Sequence, residues 1–454
     1  MDNRSIHGMW SSRLAFILAA TGSAVGLGNI WRFPYMTSDN GGGAFVLVYL
    51  ACVALVALPI LFAELAIGRR GRRSPINTLL DVSREDGLGR SWSGLGWMGI
   101  VAGVFILSFY SVVAGWTLHY AWLYLMQLFG GAGISDPAAT FGELLSNPGE
   151  LIFWHGIFML MTVLVVALGV EKGLERSVKL LMPALLLMLL VLLGYGISTG
   201  HLAEAATFLF RPDFSKITPG VVLSAMGQAF FSLSLGMCAM MTYGAYLPRD
   251  VSIPRVGAAV ALADTGIALL AGLAIFPIVI QFLGTPTGGG AGLIFTSLPS
   301  AFNQMGAVFG LLFFVLLAVA AWTSSISLLE PASAYLVERG WSRKRAAIAM
   351  AVLCWALGLL SALGFNVLSD VRPLGQDTIL DAINLVANDI LLPVGGLVIA
   401  IYAGWRLDRQ RLREQMHGAP AAFFTVWTWL LRVVAPLAVT AVLAVKLYDA
   451  LQRL

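Results

Sequence analysis

Charge is what this chain has least of. Asp, Glu, Lys and Arg make up 11% of its 454 residues, where an ordinary soluble domain carries about 25%. Cysteine is scarce as well. Cys52, Cys238 and Cys354 are the only three, all lie in apolar runs, and an odd number of thiols so placed argues against a disulfide framework. The net charge is a modest +4, and nothing in its distribution supports nucleic acid as a partner. Neither a nucleotide-binding domain nor a constellation for covalent catalysis is visible, so the expectation is a protein that is not an enzyme.

What the chain has in abundance is apolar length. Hydrophobic residues reach 58%, more than a single soluble core absorbs. Runs long enough to cross about 30 Å of hydrocarbon fall near 12–37, 42–68, 96–127, 151–169, 179–198, 219–246, 257–283, 305–337, 346–363, 378–404 and 433–449. This predicts an all-α polytopic membrane protein of eleven spans embedded in a lipid bilayer. With the N-terminus in the cytoplasm, 22 of the 28 Lys and Arg residues sit on the cytoplasmic side. The other six are Arg32, Arg211, Lys216, Arg372, Lys446 and Arg453. That division follows the positive-inside rule. Arg13 followed by "LAFILAATGSAVG" also has the form of a secretory signal, but its polar tail and the further spans favour a retained first helix.

Two of these spans are interrupted. "TGSAVGLGNIWRFP" (21–34) places Gly22, Gly26, Gly28, Asn29 and Arg32 in the middle of the first. "GQAFFSLSLGMCAM" (227–240) gathers Gln228, Ser232, Ser234 and Gly236 in the sixth. Each glycine costs about 1 kcal/mol of helix propensity relative to Ala. Irregular backbone survives in hydrocarbon only where it lines a cavity or lies buried in protein. Close helix packing through Gly22 and Gly26, and serines bonded back to an intact helix, are the plainer alternatives. Two inverted five-helix repeats would bring both breaks together near the midplane, where transporters bind substrate and ions.

The stretches "GSAVGLGNIWRFPY" (22–35), "NGGGAF" (40–45), "GQAFFSLSLGM" (227–237), "GLIFTSLPSAF" (292–302), "WTSSIS" (322–327) and "LLPVGG" (391–396) resemble the neurotransmitter:sodium symporter family, particularly its bacterial amino-acid transporters. The resemblance implies an inverted-repeat (5+5) bundle with repeats at 12–198 and 219–404 and an additional helix at 433–449. It implies sodium-coupled symport by alternating access in a bacterial inner membrane, with an amino acid as the small-molecule substrate. It leaves the oligomeric state unknown. A sodium-dependent sensor signalling through 405–421, or a carrier of a small osmolyte such as glycine or betaine, are the alternatives.

Carried over residue by residue, the resemblance implies two sodium sites. The Ala24 carbonyl, Asn29, Ser232 and Asp264 hold one ion, and the substrate carboxylate completes its shell. The carbonyls of Gly22, Val25 and Ala320 and the hydroxyls of Thr323 and Ser324 hold the other. Back-bonding within the eighth span is the competing reading for those two hydroxyls. An aspartate at a helix centre costs roughly 2.5–3.5 kcal/mol to insert. A sodium ion about 4 Å away, at an effective dielectric near 20, returns about 4 kcal/mol. A protonated Asp264 is the alternative. Members that need chloride carry a neutral residue here, so Asp264 implies chloride independence.

The same resemblance places the substrate carboxylate on the amides of Leu27 and Gly28 and the hydroxyl of Tyr110. The ammonium falls to the carbonyls of Ala24, Phe231 and Ser232. Ile106, Phe231, Ser234, Met237, Ser324 and Leu328 surround the side chain. Gly26, where monoamine carriers have an aspartate, implies amino acids. An uncharged lining implies neutral, hydrophobic or aromatic ones. The outer gate comprises Arg32, Tyr110 and Phe231, with Asn384 or Asp381 facing the arginine. The inner gate comprises His7, Tyr246 and Glu338. Gly173 and Pro183 match a glycine–nine residues–proline pattern associated with unwinding of the fifth span.

Overall fold

The computed structural model describes residues 8–284 and 292–452, with side chains described as far as Val445. His7 lies outside the described residues. Every regular element among the described residues is helical. Among the described residues nine helices are long and apolar enough to cross a membrane, and the bent pair Arg13–Ala24 and Gly28–Asp39, turning by 53° at its break, supplies the first span. The segment expected as the sixth span is two shorter helices, Pro219–Ser232 and Ala239–Ala245.

Boundaries moved where polar groups proved to be satisfied. The last span starts at Ala421 rather than 433 and runs through Arg432. That guanidinium is accommodated because it donates to the Gly404 carbonyl and lies 5.5 Å from the Trp405 ring centre. The third helix begins at Arg90, six residues earlier than expected. The fourth begins at Pro148 because the Asn147 side chain caps it, accepting from the amides of Gly149 (3.1 Å) and Glu150 (3.2 Å). The fifth is preceded by a π-helical turn, Val170–Glu175, after Gly169 at φ +84°.

The third span is the most enclosed, and the fifth and last are the most peripheral. The third packs along the eighth, and glycines allow the close approaches. A Cβ on Gly115 would meet the His155 amide of the fourth span at 2.9 Å. The two broken helices lie inside this frame, with their breaks touching. Ser234 Oγ donates to the Ser23 carbonyl (3.0 Å), and Gln228 Nε2 donates to the Gly28 carbonyl (2.8 Å).

Candidate substrate and ion site

The first helix stops at Ala24 because Val25 turns extended (φ −75°, ψ 108°). Its carbonyl then swings out of the helix and accepts from Thr323 Oγ1 and Ser324 Oγ, both at 3.3 Å. Gly26 follows at a point of contact with no room to spare. A Cβ there would lie 2.2 Å from Ser324 Oγ and 2.8 Å from the Tyr110 hydroxyl. The second break runs from Leu233 to Cys238. It carries left-handed backbone at Ser234 (φ 54°), Gly236 (φ 81°) and Cys238 (φ 60°), conformations that side-chain-bearing residues rarely adopt.

A residue that sequence reasoning passed over holds this second break open. Glu64, fully buried in the helix Leu58–Gly71, accepts from the amides of Gly236 (2.8 Å) and Met241 (3.2 Å). Both amides lost their helical acceptors when the chain unwound. The signal was in the sequence. "LPILFAELAIG" puts one carboxylate inside an apolar run, the same anomaly that singled out Asp264.

Asp264 is completely buried. Its carboxylate accepts from Asn29 Nδ2 (2.8 Å) and Ser232 Oγ (2.7 Å), and its carbonyl also accepts from Asn29 (3.0 Å). Among the described residues no Lys, Arg or His forms a salt bridge with it. Asn29 Oδ1 turns the other way, accepting from the Gly26 amide at 3.2 Å. Four of the expected ligands, Ala24, Asn29, Ser232 and Asp264, are thus gathered around the two breaks. In this arrangement the amide nitrogen of Asn29, rather than its oxygen, faces the carboxylate.

Of the second expected set, Val25, Ala320, Thr323 and Ser324 meet through hydrogen bonds. Thr323 Oγ1 bonds back to the Ala320 carbonyl (2.9 Å) while reaching the Val25 carbonyl, so back-bonding and contact with the first span coexist. Gly22 lies one turn before Val25, where a Cβ would touch Met182 Sδ at 3.2 Å. Both clusters are rich in neutral oxygen. No group of three or more His, Cys, Asp or Glu suited to a metal occurs among the described residues. A hard monovalent cation fits such donors better than a transition metal does.

Between the breaks lies a cavity of about 20 Å³ lined by Ala24, Gly26, Gly28, Ile106, Tyr110, Phe231, Ser234, Met237, Ser324 and Leu328, with Ser23 as an unforeseen neighbour. No charged side chain among the described residues lines it. Leu27 and Ser232, also expected around the substrate, are not part of this lining; the Leu27 amide donates to the Tyr110 hydroxyl at 3.2 Å. Tyr110 and Phe231 also line an outer vestibule of about 270 Å³, so these two rings separate the vestibule from the inner cavity.

Arg32 stands over the Phe231 ring at 4.8 Å. Asp381 and Asn384 both line the vestibule, yet among the described residues neither pairs with it. Asp381 accepts from Thr378 Oγ1 at 2.7 Å at the start of the helix Ile379–Asn384, and Asn384 Oδ1 accepts from Asn388 at 2.6 Å. One Arg32 nitrogen is buried without a partner.

On the basic face, Glu338 accepts from the Ser74 amide (2.6 Å), the Ser74 hydroxyl (2.7 Å) and Asn77, with Arg73 at 3.7 Å. Tyr246 donates to Glu330 (2.7 Å), which also holds Arg343 in a two-pronged pair. Sequence reasoning missed both Glu330 and Arg343. Trp10 closes the sixth span from below through Nε1 to the Tyr243 carbonyl (3.1 Å). Glu175, in the π-helical turn that contains Gly173, binds the Ser11 amide (3.0 Å), the Ser11 hydroxyl and Lys179 (2.6 Å).

The profile of the sodium:neurotransmitter symporter family matches residues 7–129 and 138–453. An uncharacterized sodium-dependent transporter of Bacillus subtilis is 37% identical over 95% of this chain and 96% of its own. A second, from Haemophilus influenzae, is 32% identical over 97% of this chain and 98% of its own. The crystal structure of MhsT in complex with L-phenylalanine superposes with a TM-score of 0.89 at 42% identity, covering 96% of this chain and 99% of that one.

Proposed function

Because this chain belongs to the sodium:neurotransmitter symporter family, we propose that it carries a neutral, hydrophobic or aromatic L-amino acid together with sodium, independently of chloride. Two sodium ions travel as cargo, one at Ala24, Asn29, Ser232 and Asp264, the other at Gly22, Val25, Ala320, Thr323 and Ser324. The observation that carries this reading is the meeting of two unwound helices around an uncharged cavity whose polar groups are backbone and hydroxyl. The L-phenylalanine bound by MhsT supports the substrate class.

In this reading the amides of Leu27 and Gly28 and the Tyr110 hydroxyl hold the substrate carboxylate. The carbonyls of Ala24, Phe231 and Ser232 hold its ammonium. Ile106, Met237 and Leu328 set the shape of the apolar end, and methionine adapts to several shapes. Tyr110 and Phe231, with Arg32 above them, close the outer side. Trp10, Tyr246, Glu338 and Glu175 close the side facing the cytoplasm of a bacterial inner membrane.

The narrowness of the cavity favours a second reading, a small substrate such as glycine or another osmolyte. Uptake of a labelled amino-acid panel into proteoliposomes, with and without a sodium gradient, decides between them. Sodium-driven uptake of phenylalanine, tryptophan or leucine, lost when Thr323→Ala is combined with Ser324→Ala, is the expected result. Exclusive uptake of glycine would give the case to the second reading, and sodium-independent uptake would overturn both.

A further inference from the structure

Far from the breaks, the basic face holds a polar pocket of about 390 Å³, a size typical of small-molecule sites. Four separated segments build it, one of them contributing Glu85 from the end of the helix Pro75–Glu85. Arg69 and Arg70 come from the end of the helix Leu58–Gly71, Arg249 from the turn after Ala239–Ala245, and Arg411, Glu414 and Gln415 from the short helix Arg409–Gln415.

The arginines are unequal in their partners. Arg70 is taken up by Glu85 (3.0 Å) and Asp86 (2.8 Å), and Asp86 also receives Arg411 at 3.0 Å. Arg69 is 2% exposed, yet it bonds only neutral acceptors, the Val251 carbonyl (2.5 Å) and the side chain (3.1 Å) and carbonyl of Gln415. Arg249 is exposed and forms no salt bridge among the described residues. Two guanidinium groups therefore border the pocket without a salt bridge among the described residues, Arg69 having only the more distant Asp250 carboxylate to offset part of its charge. A buried cation left uncompensated is expensive, and a phosphate is the anion that guanidinium geometry matches best.

We propose that this pocket binds a phosphate group, with Arg69 as its buried floor and Arg249 and Arg411 as its exposed rim. The phosphate is that of an anionic phospholipid of the adjacent leaflet or a free phosphate anion. Two carboxylates also line the pocket: Glu85 is engaged by Arg70, while Glu414 forms no salt bridge among the described residues and opposes the ligand. Binding would tie the end of the second span, the turn after the sixth and the linker before the last span to one another. This inference does not depend on which amino acid is carried.

The test uses the full chain in detergent and reads its thermal midpoint at matched ionic strength. Phosphatidylglycerol, phosphatidylcholine and inorganic phosphate are the three probes. Stabilisation by phosphatidylglycerol alone assigns a lipid headgroup, and stabilisation by inorganic phosphate as well assigns a free anion. Arg249→Gln, on an exposed side chain with no salt bridge among the described residues, should weaken the effective probe about tenfold, the factor expected from losing one charge-assisted contact. Glu414→Gln should strengthen it. Equal stabilisation by phosphatidylcholine, no stabilisation by any probe, or an unchanged response in both variants would overturn the site.

Discussion

At the scale of single residues, two positions concentrate the chemistry. Asp264 is buried and bonded only by Asn29 and Ser232, so its charge needs a cation that is not a side chain. In the proposed cycle that cation is sodium, and the carboxylate does the work an anion does elsewhere. Replacing chloride by gluconate should leave uptake unchanged. Asp264→Asn should cut uptake at least about tenfold, the loss expected when roughly 1.4 kcal/mol of ion binding disappears, and added chloride should restore part of it. A chloride requirement in the unaltered protein would refute this. Gly26 is the second position. A methyl there collides with Ser324 Oγ at 2.2 Å and crowds Tyr110, and both neighbours belong to the proposed binding surface. Gly26→Ala should abolish substrate binding while the protein still inserts, and isothermal titration with phenylalanine measures it. Unaltered affinity would show that the substrate lies elsewhere.

At the scale of elements, the two breaks are kept open by different means. The first is relieved within a short stretch, where the Gly26 carbonyl accepts from Ile30 (3.4 Å) and Asn29 (3.2 Å) as the helix restarts in a π turn. The second depends on Glu64, which supplies acceptors for two amides. Glu64→Ala leaves both without a partner, at about 1–3 kcal/mol each, and should lower the thermal midpoint in detergent. Glu64→Gln keeps one acceptor and should lose less. Equal midpoints for all three proteins would mean that water or rearranged backbone satisfies those amides. Gly236 adds a steric requirement, since a Cβ would lie 2.2 Å from the Leu392 carbonyl of the tenth span.

For the whole molecule, the vestibule reaches down to Tyr110 and Phe231, while the basic face is sealed by contacts between distant segments. Trp10 bonds the sixth span, Ser11 bonds Glu175 at the start of the fifth, and Glu338 bonds the loop after the second. Alternating access requires such contacts to break together. Glu175→Gln weakens one of them without altering the cavity. A cysteine introduced at Met182, which packs beside Gly22, should then be alkylated from the basic face about fivefold faster, the factor carried by roughly 1 kcal/mol. Identical rates in the two backgrounds would show that Glu175 is no part of the closure.

Apolar run length and the distribution of charge were enough to read a helical, many-spanning membrane protein from the sequence, because hydrocarbon leaves a spanning backbone few ways to satisfy its amides. They also located both interruptions, since glycine clusters and intramembrane polar residues are costly wherever they occur. The family motifs named ten residues that line the cavity, but not Ser23, and they also named Leu27 and Ser232, which do not line it. Partnerships between distant side chains were not legible in this way. Arg32 and Asp381 share a vestibule wall, but Asp381 is engaged by Thr378, and Glu338 found Ser74 and Asn77. The pairing of Glu330 with Arg343 and the bridging of the unwound sixth span by Glu64 appeared only with the fold. A buried polar group bonds whichever neighbour the packing brings within about 3 Å, and that choice belongs to the tertiary structure.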